Sequence, residues 1–102
     1  MPEVVRIGDS LSTGHSCVST TTIASSNQIT TNVYANNILI DVEGAPTVSH
    51  IAPPVPLCPP HVRVLNTGSA TVFINGRKVG RIGDSADSGE MTSGSSNVFA
   101  GG

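Results

Sequence analysis

Five residues occur twice, letter for letter. Arg6-Ile7-Gly8-Asp9-Ser10 returns as Arg81-Ile82-Gly83-Asp84-Ser85 in a chain of 102 residues. Gly68-Ser69-Ala70-Thr71-Val72-Phe73 is echoed by Gly94-Ser95-Ser96-Asn97-Val98-Phe99. Val33-Tyr34-Ala35-Asn36-Asn37 lies beside Val72-Phe73-Ile74-Asn75-Gly76 at an offset of 39, which also carries Gly44 onto Gly83. Repeats this short are single supersecondary units that cannot bury an apolar face without their neighbours. Each unit reads as a short strand, a tight turn and a returning strand. Asn75-Gly76 between two β-branched runs is the strongest short hairpin signal, because a type I′ turn needs positive φ at both central residues. Asn36-Asn37 can serve the same turn, since Asn tolerates the left-handed region. The Gly-Asp pairs at 8–9 and 83–84 then end the returning strands. Three such units about a common axis predict a single all-β domain over residues 1–102, a compact body of short strands and hairpins with pseudo-threefold repeats.

Composition supports strands over helices. Twelve Val and eight Ile stand against four Leu, and Ser and Thr supply 23 residues. β-Branched side chains suit a pleated surface and disfavour helices. Five Lys and Arg against seven Asp and Glu leave a net charge of −2. That is too few scattered cations to neutralise a row of phosphates, so nucleic acid is not an expected partner. The longest clean aliphatic run is Ile38-Leu39-Ile40, far short of the ~20 residues of a membrane-spanning helix. The start, Met-Pro-Glu-Val-Val-Arg, has neither a basic region nor an apolar one, so synthesis in the cytoplasm without a signal peptide is expected. Two segments interrupt the repeats. Ser16–Thr31 is rich in Ser and Thr and reads as an exposed hairpin or loop. Residues 51–60 carry five of the seven prolines, which makes them a stiff connector or an edge.

A core built from small aliphatic side chains is thin and calls for an additional staple. All three histidines, His15, His50 and His61, lie near turn signals, and Cys58 precedes His61 by three positions. Cys58-Pro59-Pro60-His61 spaces a thiolate and an imidazole for one ion. His15, His50, Cys58 and His61 together make a complete tetrahedral set for zinc, and a closed four-ligand site is structural. The bland alternative is that scattered histidines are simply exposed or core residues. Without a signal peptide a reducing compartment is the default, where a thiol is more often buried or metal-bound than paired. His15 and Cys17 share one face of an extended segment, so a Cys–His nucleophile is conceivable there or at Cys58 and His61. No nucleophile motif surrounds either cysteine, and the expectation is no enzymatic activity. Asp9 and Asp84 follow glycines at matching turns, where each carboxylate is expected to cap nearby backbone N–H groups rather than bind a cation. The repeated Val-Tyr and Val-Phe pairs are expected to be ordinary core or packing residues.

Taken in order, these pieces resemble the PAAR-repeat proteins. The resemblance rests on Val-Arg-Ile-Gly-Asp at 5–9 with Gly14-His15, on Gly-Ser-Ala-Thr-Val-Phe-Ile-Asn-Gly at 68–76, on Lys78-Val79-Gly80-Arg81-Ile82-Gly83-Asp84, and on Gly-Ser-Ser-Asn-Val-Phe at 94–99. It covers essentially the whole chain. It implies a non-enzymatic cone that caps a trimeric β-helical central spike, one tip per spike trimer, in a type VI secretion system or a contractile phage tail. It further implies transient contact with a target cell membrane, assembly at the spike tip with outward delivery, and one structural Zn2+ per chain held by His15, His50, Cys58 and His61. The Pro-Ala-Ala-Arg tetrapeptide itself is absent: Lys78-Val79-Gly80-Arg81 and Leu39-Ile40-Asp41-Val42 stand in its places. Gly44-Ala45 replaces one Gly-Asp, Ser88-Gly89 occupies a place where relatives often carry Cys, and Cys17 has no assigned role. The reading from a different class is a free-standing zinc-binding adaptor that recruits a soluble partner.

Overall fold

A computed structural model describes residues 1–25 and 32–101. Its strands are two or three residues long and pair antiparallel as five separate hairpin-like ladders. β1 (Ser10–Ser12) pairs with β2 (Thr20–Thr22), β3 (Tyr34–Ala35) with β4 (Ile38–Leu39), and β5 (His50–Ile51) with β6 (Pro60–His61). β7 (Phe73–Ile74) pairs with β8 (Arg77–Lys78), and β9 (Ser85–Ala86) with β10 (Gly89–Glu90). The protein is all-β, with no helix among the described residues and hence none long and apolar enough to cross a membrane. The two expected turns form. Asn36 and Asn37 (φ 56° and 63°) and Asn75 and Gly76 (φ 53° and 81°) give the paired positive angles that join β3 to β4 and β7 to β8. Of the Ser16–Thr31 stretch, Thr20–Thr22 form β2, while positions 26–31 lie outside the described residues.

Isolated two-stranded hairpins are marginal in water, so the backbone connections between them decide whether the chain folds. Three hydrogen bonds close on themselves. The Val5 N–H donates to the Gly80 carbonyl, the Gly80 N–H to that of Asp41, and the Asp41 N–H back to that of Val5, at 2.9, 3.0 and 2.9 Å. A second set repeats the arrangement one step away: Ile7 donates to Leu39, Glu43 to Lys78, and Ile82 to Glu3. Each arm then turns in the same way, with Asp9, Ala45 and Asp84 donating to the carbonyls of Arg6, Val42 and Arg81. The intervening Gly8, Gly44 and Gly83 have φ of 82°, 92° and 90°, a region that side-chain-bearing residues rarely enter. In two arms the Asp carboxylate locks the turn as expected. Asp9 accepts the Arg6 amide at 2.7 Å and its guanidinium, and Asp84 does the same for Arg81, with the amide at 2.8 Å.

Apolar side chains collect in two clusters on either side of these rings. Val4, Ala35, Ile40, Val42, Ile74, Val79 and Ala100 form one; Val5, Leu11, Ile23, Ala45, Leu65, Ala86 and Met91 form the other. The repeated Gly-Ser-x-x-Val-Phe segments owe their similarity to a shared cap. Buried Ser69 Oγ accepts the amides of Thr71 and Val72, and buried Ser95 Oγ accepts those of Asn97 and Val98. The aromatic residues, expected as core or packing residues, are not in the core. Tyr34, Phe73 and Phe99 are 58, 51 and 46% exposed, and they are all the aromatics of the chain. They occupy matching register positions, opposite Leu39, Lys78 and Glu3.

Candidate metal centre

Two close backbone approaches assemble the site. Gly14 and Gly89 pass each other so tightly that a Cβ on the first would collide with the Ser88 carbonyl, and one on the second with that of Ser12. The Ser88 amide donates to the Thr13 carbonyl at 3.0 Å, which sets the loop after β1 against the turn between β9 and β10. That crossing brings His15 to Asp87. Independently, the β5–β6 ladder places His50 directly opposite His61, and side chains opposite one another in an antiparallel pair share a face.

The result is four donor atoms around one point. Asp87 Oδ2 lies 2.7 Å from His50 Nε2, 3.0 Å from His15 Nε2 and 3.2 Å from His61 Nε2. The Nε2 atoms are 2.7 Å (His50–His61), 3.1 Å (His15–His61) and 3.3 Å (His15–His50) apart. The side chains are largely sealed: Asp87 is 1% and His50 4% exposed, His15 11% and His61 24%. Two of the rings are oriented from behind. His15 Nδ1 meets the Ser16 carbonyl at 2.9 Å and His50 Nδ1 that of Val48 at 2.8 Å. A carbonyl only accepts, so Nδ1 carries the proton and Nε2 presents its lone pair inward, the tautomer a metal requires. Converging lone pairs and a carboxylate repel one another unless a cation sits among them. Burial pushes the Asp87 carboxyl up, but the imidazoles of His50, His15 and His61 gathered around it outweigh that, so the group is held below its ordinary value. His15, His50, His61 and Asp87 could therefore hold a metal ion.

Three of the four ligands expected from sequence are brought together; Cys58 is not among them. Its sulfur is bonded to that of Cys17, with the Cα atoms 5.9 Å apart, and Asp87 takes the fourth place. The expectation of an unpaired thiol rested on compartment, and proximity overrides it: the loop carrying Cys17 and the connector carrying Cys58 are drawn side by side by His15 and His61. With both sulfurs joined, neither cysteine is available as a nucleophile in this state. Asp87, next to the Ser88-Gly89 pair, is the one member of the cluster without a recognisable ligand spacing. The signal was in the repeat: the offsets that align the Gly-Asp turns set Asp87 against Ser12 and Val48, making it the one acid at that position. Neither a scan against protein-family models nor a search of curated proteins finds a match to this chain.

Proposed function

We propose that the chain is a non-enzymatic spike tip that caps the end of a trimeric β-helical shaft, as its resemblance to PAAR-repeat proteins implies. The observation that carries this reading is the placement of the aromatics. A protein with three aromatic side chains and a thin core gains most by burying them, at ~2 kcal/mol or more each. Instead Tyr34, Phe73 and Phe99 are each half exposed, at matching register positions opposite Leu39, Lys78 and Glu3. Read as one unit repeated three times about the closed ring of Val5, Asp41 and Gly80, they form a threefold apolar surface suited to a threefold partner. The short flanking strands have edges that a β-helix can continue.

On this reading Zn2+ is the ion held by His15, His50, His61 and Asp87, since three imidazoles and a carboxylate in a closed set suit a structural zinc. When bound it supplies charge neutralisation and a cross-link between the three loops that carry His15, the His50 and His61 pair, and Asp87. Contact with the target membrane would be made by the metal-bearing end, with the aromatic ring turned to the shaft. The whole cone then works as a rigid body, and both secretion systems and phage tails can use it.

Mixing the purified chain with a trimeric β-helical spike and measuring the mass of the complex tests this. One chain per three spike chains is expected, and Tyr34→Ser/Phe73→Ser/Phe99→Ser should abolish the complex while leaving the melting temperature within a few degrees. A chain that ignores the spike and captures only soluble partners is instead the zinc-binding adaptor.

A further inference from the structure

The disulfide lies beside the metal cluster and is not part of it, and its position couples the two. Cys17 is two residues after His15, and Cys58 three before His61, so one covalent bond joins the two loops that supply those ligands. Each loop is held within itself, by hydrogen bonds from Thr13 to the Ser19 and Val18 carbonyls and from the Ala52 and Cys58 amides to those of Pro59 and Pro54, and the disulfide is the covalent tie between the two. The 51–60 connector contains five prolines, which lack an N–H, and its Val55 and Leu57 are largely exposed. Both half-cystines also sit in the left-handed region, Cys17 at φ 77° and Cys58 at φ 41°, a conformation that an untethered Cys seldom keeps.

We infer that the Cys17–Cys58 disulfide is a redox control on the metal site: oxidised, it preorganises His15 and His61 and keeps the ion; reduced, it lets the site open. The inference rests on the metal reading above and adds a regulator to it. Binding that needs less ordering is tighter, and the coupling is reciprocal, so the metal-loaded protein resists reduction in the same proportion. The chemistry balances with a phosphine as reductant. Phosphorus attacks one sulfur, the S–S bond breaks, water delivers its oxygen to phosphorus, and the products are two thiols and a phosphine oxide. A free Cys58 thiol does not become a fifth donor, because Asp87 Oδ2 already stands within 3.2 Å of all three Nε2 atoms.

The test measures Zn2+ affinity by competition with a chromogenic chelator, on the full chain before and after treatment with a trialkylphosphine. Thiol titration reports the extent of reduction, and the Cys17→Ser/Cys58→Ser variant gives a reductant-free comparison. Circular dichroism establishes that each form remains folded. The expected result is a dissociation constant at least about 10-fold weaker for the reduced protein and for the double variant. Tight binding that is unchanged by reduction overturns the coupling and leaves the metal site standing. Tighter binding after reduction also overturns it, and identifies a cysteine thiolate as a ligand in place of Asp87. An oxidised protein that binds no Zn2+ overturns both readings. Should the double variant fail to fold, the phosphine arm decides alone.

Discussion

At the scale of the residue, Asp41 is the least comfortable group in the molecule. Its backbone closes the three-way ring, yet its carboxylate is 1% exposed and neither oxygen has a hydrogen-bond partner. Burial first, and the charge of Asp9 second, push its pKa up from 3.8 to about 8. The folded state therefore binds this proton more tightly than the unfolded chain does. Stability from this group is fully present below the unfolded value, and it is lost as pH rises through about 8. The loss is bounded at roughly 6 kcal/mol, from a shift of about four units at 1.4 kcal/mol each. Urea denaturation of the native chain and of Asp41→Asn across that range should show a decline in the first that is flattened in the second. Parallel declines would mean that the carboxylate is solvated or paired in solution. By contrast Asp9 and Asp84, also buried, each hold an arginine and a backbone amide, which is why the chain keeps two acids where a turn has to be locked.

At the scale of the element, tight turns do most of the folding work, and they were the part most legible in the amino-acid order. Asn75-Gly76 and Asn36-Asn37 dictate their hairpins through local backbone sterics alone, so five or six residues suffice to read them. Gly76→Ala isolates that effect, since a Cβ there would meet nothing within 4 Å. The expected cost is conformational only, about 1–2 kcal/mol by chemical denaturation, with zinc affinity unchanged. Gly89→Ala is the steric counterpart. Its Cβ would strike the Ser12 carbonyl and crowd the Gly14 amide, which forces His15 away from Asp87. Here both stability, by roughly 2–3 kcal/mol, and zinc affinity should fall together; retention of full affinity would show that the crossing does not position the ligands. What could not be read locally depended on which distant segments meet. The disulfide and Asp87 are both products of such meetings, since Cys17 and Cys58 are 41 positions apart and Asp87 lies beyond every other ligand. His15, His50 and His61 were accessible because a thin core with three histidines near turns already implied a staple. Whether the aromatics lie in the core or on the surface was not legible for a related reason: alternation in a two-residue strand does not say which face is inside.

At the scale of the whole molecule, the protein measures 40 × 24 × 22 Å and has two small apolar clusters in place of one large core. Its rigidity therefore comes from connections: two rings of backbone hydrogen bonds, Asp-locked turns, one disulfide, and the cluster of three imidazoles and a carboxylate. The cluster is where the molecule depends most on something other than itself, because four inward-facing acceptors are favourable only around a cation. Elemental analysis of the purified chain, paired with its melting temperature before and after a strong chelator, tests this dependence most directly. One zinc ion per chain is expected, with a melting temperature that drops by 10 °C or more on chelation, on the order of 2 kcal/mol for a domain of this size, and a similar drop in His50→Ala without chelator. A native chain free of metal, or one that melts unchanged once its metal is removed, would contradict it.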